Sequence, residues 1–309
     1  MKVAHFLIIF IILAGIYKPV IAGGIPKGIR SESIDLSATL SNGIEQKKDS
    51  KVNWYQMFTQ APSDYYNFLK HSFNTEEIPT LINLAILTGS LMSIDQTGWK
   101  FQHTLYKRSG FDRKSSDIAI QLGNGKYQIC IAALFALQGT VFQDEKSLKT
   151  ASNIVETALS TGLFVQVLKR ITGRESPVAS TESGGDWEPL PSIKQYQKNQ
   201  PRYYSFPSGH LSTAAAVMTV IANNYPDEKW LKPVGYSLLG ILGFSLVNEG
   251  MHWYSDLPLA YFIGYTFGNI VVPSDSPSNQ NEESILSKHL LFTPSLNING
   301  VELHATYSF

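Results

Sequence analysis

The chain has 309 residues, of which 43% are apolar and 16% charged, and its 25 basic residues equal its 25 acidic ones. An ordinary apolar fraction without excess charge excludes a wholly disordered chain, and balanced charge gives no long-range attraction to nucleic acid. The single cysteine, Cys130, excludes an intramolecular disulfide and a cysteine-based zinc finger. Cys130 lies in an apolar run, which predicts a small buried side chain.

The first 22 residues have the pattern of a secretory signal peptide. Lys2 provides a positive charge, residues 6–16 are apolar, and residues 20–22 form a small-residue cleavage site. An uncleaved anchor helix is the alternative, but the apolar run of 11 residues is shorter than the roughly 20 that span a bilayer. We therefore expect a protein secreted across the inner membrane, periplasmic or envelope-associated, with an irregular arm at 23–52.

Helical patterning dominates residues 53–273, which we expect to form one helical domain. Residues 54–73 show a helical pattern broken by Pro62, and no strand alternation of useful length occurs before residue 272. We predict an all-α fold with a polar connector at 107–126 and a long loop at 173–205. The predicted apolar helices span residues 81–94, 127–142, 146–171, 211–221, 233–247 and 257–272.

The most apolar charge-free stretches are residues 127–143, 233–248 and 257–274, with 17, 16 and 18 residues. These lengths are at or below the spanning threshold, and the mean hydropathy of the chain is only −0.06. Buried core helices explain the stretches better, and an integral membrane protein stays open as the alternative.

The C-terminal segment, residues 274–309, combines a polar linker with an alternating tail. Apolar and polar side chains alternate from Val301 onwards, and Asn299-Gly300 precedes them. Asn-Gly between alternating segments is a strong signal for a tight hairpin turn. We predict a C-terminal β-hairpin that packs on the helical body or on a partner, since so few residues cannot close a barrel.

Three polar clusters carry residue types suited to phosphate chemistry. The first, residues 169–177, contains Lys169, Arg170 and Arg174. These side chains are candidate phosphate donors, and the alternative is that they complement the dipole at a helix C-terminus.

The second cluster, residues 205–210, has the sequence Ser-Phe-Pro-Ser-Gly-His and precedes a helical pattern. Free backbone N–H groups at a helix start bind anions, and Gly209 permits close approach. Ser208 adds a hydroxyl and His210 a titratable proton. An ordinary serine-capped helix with a chance histidine is the alternative.

In the third cluster, residues 245–256, His252 and Asp256 are four positions apart and can face each other on a helix. A carboxylate bonded to one ring nitrogen fixes the tautomer and leaves the other nitrogen as a nucleophile or base. A purely structural pair is the alternative.

Together, the clusters resemble the signature of the type 2 phosphatidic acid phosphatase / vanadium haloperoxidase superfamily: K-x6-R-P, then P-S-G-H, then S-R-x5-H-x3-D. Order and spacing match over residues 127–272, and the upstream part is similar to the superfamily's secreted bacterial phosphatases. The resemblance implies an α-helical bundle with its site at helix ends. It implies no metal and no cofactor in the phosphatase branch, since vanadate is the cofactor only in the peroxidase branch.

The same resemblance implies a role for each matched residue. His252 would attack phosphorus to give a phosphohistidine, with Asp256 orienting it, and His210 would protonate the leaving alkoxide and later activate water. Lys169, Ser208 and the backbone N–H of residue 209 would hold the phosphoryl oxygens.

Two positions depart from the signature, because Ser176 and Leu246 stand where the superfamily has arginines that contact phosphate. Loss of one preorganised donor commonly costs about 100- to 1,000-fold in rate. Arg174, Arg170 and Arg202 are near enough in the chain to substitute, and Arg174 is our candidate phosphate-binding residue.

These patterns predict a metal-independent histidine acid phosphatase acting on phosphomonoesters or on lipid phosphates and pyrophosphates. The alternatives are a catalytically weakened envelope protein that binds phosphate or a lipid headgroup, a vanadate haloperoxidase, and an integral membrane lipid phosphatase. Expected partners are a phosphorylated small molecule or lipid, with peripheral membrane contact and without nucleic acid. The sequence predicts neither the substrate nor the oligomeric state.

Overall fold

The computed structural model describes residues 59–108 and 113–273, and the backbone of residues 290–297 and 300–307. The predicted signal peptide, the arm at 23–52 and the linker predicted at 274–287 lie outside the described residues. The other boundaries of the predicted domains stay predictions.

Helices account for most of the described backbone between residues 59 and 273, which confirms the predicted all-α class. Short 3-10 turns occur at Thr75–Glu77, Gln121–Gly123, Pro177–Ala179 and Gln200–Arg202. The described helices are α1 Ala61–Ser72, α2 Ile78–Arg108, α3 Arg113–Ile120, α4 Gly125–Phe142, α5 Glu145–Thr172, α6 Ile193–Lys198, α7 Gly209–Asn224, α8 Leu231–Asn248 and α9 Asp256–Val271.

Two short helices lie where we predicted none. Helix α3 forms inside the predicted polar connector because one of its faces is buried: Ala119 is in the core, and Ser116 accepts a hydrogen bond from the Asn248 side chain at 3.2 Å. Helix α6 forms inside the predicted loop, where Ser192 and Gln195 make a capping box. In both segments the polar residues obscure the apolar periodicity by which a short helix is recognised in a sequence.

The centre of the bundle is the contact of α7 with α9, supported by α5. Small residues permit it, since a Cβ at Gly264 would lie 2.0 Å from the Ser212 carbonyl oxygen. Around this contact, Leu242, Leu246 and Ala260 are fully buried. Full burial of such aliphatic side chains stabilises the fold by roughly 1.5–3 kcal/mol each for the leucines.

Helix α1 packs on α5 and α9 through aromatic rings. Phe68 stacks on Phe267 with ring centroids 4.6 Å apart and meets Phe164 at 4.7 Å. The Tyr65 hydroxyl donates to the carbonyl of Ser160 at 3.1 Å. Pro62, which seemed to interrupt this helix, occupies its first turn, where a missing N–H costs nothing.

Helix α2 has 31 residues and is much longer than the predicted 81–94 segment. Residues 75–105 and 231–248 are long and apolar enough to cross a membrane, by length and composition alone. Only 6% of the first apolar window is buried, against 50% of the second. We missed the first stretch because Asp95 and Lys100 interrupt it as a charge-free run.

Helix α4 shows why the expected burial of Cys130 was wrong. Its buried side comprises Gln128, Ala132, Phe135 and Gly139, spaced three or four residues apart. Cys130 lies off that stripe and is exposed. A helix that is apolar on all sides does not indicate from sequence which side meets the core.

Two strands follow the helical domain. Strand β1 Leu290–Asn297 pairs antiparallel with β2 Gly300–Tyr307, with Asn297 opposite Gly300. The side chains of both strands lie outside the described residues, so the predicted hairpin's packing partner stays a prediction.

Candidate active site

The first site residue, Lys169, is held at the C-terminal end of α5. The helix ends because Gly173 adopts a left-handed conformation (φ +57°) and its N–H donates to the Lys169 carbonyl. The Lys169 ammonium lies over the Tyr204 ring at 5.0 Å, and only 5% of the residue is exposed. Burial lowers its pKa to about 8, although nearby Asp256 acts in the opposite direction.

The second cluster forms the start of α7. Ser208 is buried and caps the helix, because its Oγ accepts the Leu211 N–H at 3.4 Å, which leaves the hydroxyl proton free to donate. The peptide before Pro207 is cis. A Cβ at Gly209 would lie 3.4 Å from Nζ of Lys169, so glycine lets the ammonium approach the helix start closely.

His252 is fully buried, and its hydrogen bonding fixes its tautomer. Nδ1 lies 2.7 Å from the Ser205 carbonyl oxygen, which can only accept, so Nδ1 carries the proton. Nε2 is buried and has no hydrogen-bond partner within the described residues. Burial lowers the His252 pKa, and Lys169 adds to this, whereas Asp256 and the Ser205 carbonyl oppose it.

The carboxylate of Asp256 accepts several hydrogen bonds next to His252. Its Oδ2 accepts the Ser205 hydroxyl at 2.5 Å and the Trp253 N–H at 2.7 Å, and lies 3.5 Å from Nδ1 of His252. Its Oδ1 accepts from Arg174 at 2.6 Å. Burial alone would raise the Asp256 pKa, but these partners together hold it below its ordinary value.

The structure brings the two motif histidines together. The rings of His210 and His252 are 6.5 Å apart between centroids, although 42 residues separate them in the sequence. Burial lowers the pKa of His210 to about 4, with further lowering by His252 and Lys169. His210 is therefore neutral at pH 7 in the free protein.

A cavity of about 290 Å³ is lined by His210 and Lys169, whereas His252 is not among its lining residues. The cavity lies where the starts of α4 and α7 meet the last turns of α5, so two helix N-termini and a buried lysine share one space. Its lining comprises Gly123, Asn124, Gly125, Gly162, Val165, Gln166, Lys169, Gly209, His210 and Thr213.

None of the three candidate replacement arginines lines this cavity. Arg170 stacks on the Tyr196 ring at 4.6 Å, and Arg202 pairs with Glu175 at 3.4 Å. Arg174 donates to protein groups through both terminal nitrogens. Its predicted role in phosphate binding does not fit these contacts, because both terminal nitrogens of the guanidinium already donate to protein groups, among them Asp256 and Asp95.

The two departures from the signature are built into the fold. Leu246 is fully buried in an apolar cluster with Leu211, Leu242 and Ala260. Ser176 is also fully buried, and its N–H donates to the Pro201 carbonyl at 2.9 Å. Lys169 is thus the one cationic side chain among the residues that line the cavity.

One residue that holds the site, Asp95, was missed from the sequence. Asp95 of α2 is fully buried and accepts from both Arg174 and Ser255. A lone carboxylate inside an apolar helix was a usable signal, since such a charge is rarely buried without a partner. No group of three or more His, Cys, Asp or Glu that could hold a metal occurs among the residues described.

The part of the chain that contains the three clusters is similar to known proteins. The model of the PAP2 superfamily matches residues 150–279, and no curated protein matches the chain. Among solved structures, the chain is similar to a transmembrane PAP2 type phosphatidylglycerolphosphate phosphatase from Bacillus subtilis. That similarity has 15% sequence identity and a TM-score of 0.42, and covers 74% of this chain and 97% of the other.

The family match encloses all three motif clusters, from Lys169 to Asp256. It confirms the resemblance and, at the coarse level, supports a phosphatase-type enzyme. Residues 150–279 of this chain are similar to the PAP2 superfamily.

Proposed function

We propose that the protein is a metal-independent phosphatase that hydrolyses phosphomonoesters or lipid phosphates and pyrophosphates through a phosphohistidine. The main support for the proposal is the hydrogen bonding of the two ring nitrogens of His252. Its Nδ1–H is fixed by the Ser205 carbonyl, and its buried Nε2 has no partner within the described residues. A buried nitrogen without a hydrogen bond is costly in a structural histidine and useful in a nucleophile.

In the first step, Nε2 of His252 attacks phosphorus and forms a P–N bond. The P–O bond to the leaving group breaks, and protonated His210 gives its proton to the departing alkoxide. In the second step, His210 takes a proton from water, whose oxygen attacks phosphorus while the P–N bond breaks. Inorganic phosphate is released, and Lys169 with the N–H groups at the start of α7 stabilises the charge in both steps.

The shifted pKa values predict an acidic pH optimum. His210 must be protonated for the first step, and its pKa in the free protein is about 4. Lys169 has a pKa of about 8, so its positive charge is lost as pH rises through that value. We expect kcat/KM to fall as pH rises above about 4, where free His210 loses its proton, and to fall more steeply above about pH 8, where Lys169 loses its charge.

The test is phosphate release from p-nitrophenyl phosphate by wild type and His252→Ala, with and without EDTA. We expect a loss of at least about 1,000-fold in the variant, no effect of EDTA, and full activity in His71→Ala. His71 is an exposed histidine on α1 and serves as the matched control. Unchanged phosphate release by His252→Ala contradicts the proposal.

A catalytically weakened protein that binds phosphate or a lipid headgroup is the second candidate. The burial of Leu246 in the core supports it, because a guanidinium at that position is replaced by an apolar side chain. This function predicts a measurable phosphate Kd without turnover across a panel of aryl, sugar and lipid phosphates. Ready turnover of any of them excludes it.

For localisation, we propose attachment to a membrane through α2. Ile82, Ile94, Phe101 and Leu105 of this helix are all about half exposed or more. Apolar side chains at this density are costly in water and favourable in lipid. We expect the protein to stay with membranes during alkaline extraction, and its release into the soluble fraction contradicts the attachment.

A further inference from the structure

A carboxylate from the centre of α2, that of Asp95, contacts Arg174 and Ser255 next to Asp256 of the candidate active site. Asp95 is fully buried, and its Oδ2 accepts from Nη2 of Arg174 at 2.8 Å. Its two oxygens also accept the backbone N–H of Ser255 at 3.1 Å and the Ser255 hydroxyl at 2.5 Å. Ser255 immediately precedes Asp256, so these bonds fix the backbone from which Asp256 projects.

Arg174 joins this carboxylate to Asp256. Its Nη1 donates to Oδ1 of Asp256 at 2.6 Å and to the Ser255 hydroxyl at 2.7 Å. The guanidinium carbon lies 4.8 Å from the Trp187 ring centre and 5.6 Å from that of Trp253. Both the plane and the fork of Arg174 are therefore fixed, and a lysine cannot reproduce two parallel donors.

The charges in this group have a consequence for His252. A buried guanidinium that faced Asp256 alone would neutralise that carboxylate and weaken its support for a protonated imidazole. Asp95 supplies a second negative charge to Arg174. Asp256 thus keeps a net negative field at Oδ2, on the side that His252 and Ser205 share.

We propose that Asp95 is a positioning residue for the reaction: through Arg174 and Ser255 it holds Asp256 in place and maintains the charge that Asp256 presents to His252. The inference rests on the proposed phosphatase function and adds α2 to the site. Asp95 lies outside residues 150–279, so the family match assigns it no role.

Asp95→Asn is the direct test, because asparagine keeps the shape and removes the charge. We expect kcat to fall about 10- to 100-fold through misplacement of Asp256, with KM changed less than about twofold because Asp95 does not line the cavity. We also expect the His252 pKa to fall, because without the Asp95 charge the Arg174 guanidinium neutralises Asp256 more fully. The acid limb of the kcat/KM profile should therefore move to lower pH.

Asp227→Asn is the matched control, since Asp227 is exposed in the turn before α8; it should leave kcat, KM and the pH profile unchanged. An Asp95→Asn protein that folds with wild-type kcat and an unmoved pH profile overturns the proposal. If it does not fold, Ser255→Ala decides the question, because it removes two hydrogen bonds and keeps every charge. We expect Ser255→Ala to lower kcat about threefold or more, and wild-type kcat in this variant overturns the proposal.

A second readout separates this inference from the proposed function. The His252 pKa is measured by ¹H–¹⁵N spectra of the imidazole groups, assigned with His252→Asn. If wild type hydrolyses no phosphate ester, the proposed function fails, but the spectra still test the role of Asp95. A lower His252 pKa in Asp95→Asn supports the coupling, and an identical pKa overturns it.

Discussion

Two pairs of buried carboxylates lie at different levels of the bundle, and their surroundings are opposite. At the site, Asp95 and Asp256 share one guanidinium, that of Arg174. Nearer the middle of α5, Glu156 and Asp64 are also buried, but neither has an ion pair with any described residue. The Ser160 hydroxyl donates to Asp64 at 3.2 Å.

The difference shows in the pKa values of Asp256, Glu156 and Asp64. The Asp256 pKa is lowered even though burial acts against it. The pKa of Glu156 is raised to about 7 by burial and by the charge of Asp64, and that of Asp64 is raised by burial. The neighbouring guanidinium and hydrogen-bond donors thus lower the pKa of Asp256 despite its burial, whereas Glu156 and Asp64, which lack an ion pair, have raised pKa values.

The largest effect is expected from Arg174→Met, which keeps the side-chain volume and removes the shared charge. Breaking a buried ion pair typically costs 3–5 kcal/mol because the partner carboxylates stay buried. We expect a loss of about that size in the free energy of unfolding, measured by denaturant titration, and a fall in kcat of more than about 100-fold.

Arg202→Met is the control for this change, because Arg202 pairs with Glu175 but its side chain is 40% exposed. The buried Glu175 keeps its hydrogen bonds from Thr181 and Asp186 when Arg202 is replaced, so we expect a loss of about 1 kcal/mol or less. Equal losses of stability in the two variants contradict the importance given to the buried network.

A smaller effect is expected from Glu156→Gln, which removes the titration of the uncompensated pair. The folded pKa of about 7 exceeds the ordinary 4.5, so the folded state binds the proton more tightly than the unfolded state. The contribution of Glu156 to wild-type stability is therefore greatest below about pH 4.5 and is lost as pH rises to about 7. The shift of about 2.5 pKa units corresponds to roughly 3 kcal/mol as an upper value.

The measurement is the free energy of unfolding at pH 4.5, 6 and 7.5 in both proteins. We expect the fall across this range to be smaller in Glu156→Gln than in wild type. Glu145→Gln is the control, because Glu145 is exposed in the first turn of the same helix. Parallel curves for wild type and Glu156→Gln contradict the assignment of the raised pKa.

The same comparison explains what the sequence could and could not predict. Apolar periodicity located the long helices, since a helix that packs on one side repeats its apolar residues every three or four positions. The motif clusters located Lys169, His210, His252 and Asp256, because each cluster is local in sequence. The meeting of the two histidines followed from the resemblance, and the structure places their rings 6.5 Å apart.

What was missed depends on distant partners. Asp95 and Arg174 are 79 positions apart, and no local pattern connects them. Proximity in sequence made Arg174 a candidate for phosphate binding, but the direction of its side chain is set by Trp187, Trp253 and the two carboxylates. The buried pair of Asp64 and Glu156 was missed for the same reason, since each carboxylate alone is typical of a solvated helix face.

The smallest effect is expected from Ser160→Ala, which removes the hydrogen bond that lowers the pKa of Asp64. A net loss of about 1 kcal/mol in unfolding free energy is expected at pH 7.5, where Asp64 gains most from a donor. At pH 4.5 the loss should be smaller, because a protonated pair can supply its own donor. Ser90→Ala on α2 is the control, since the Ser90 hydroxyl donates to no carboxylate among the described residues. A loss that is equal at both pH values means that the Ser160 hydroxyl acts through packing alone, and the contrast between the two carboxylate pairs then rests on Arg174 and burial.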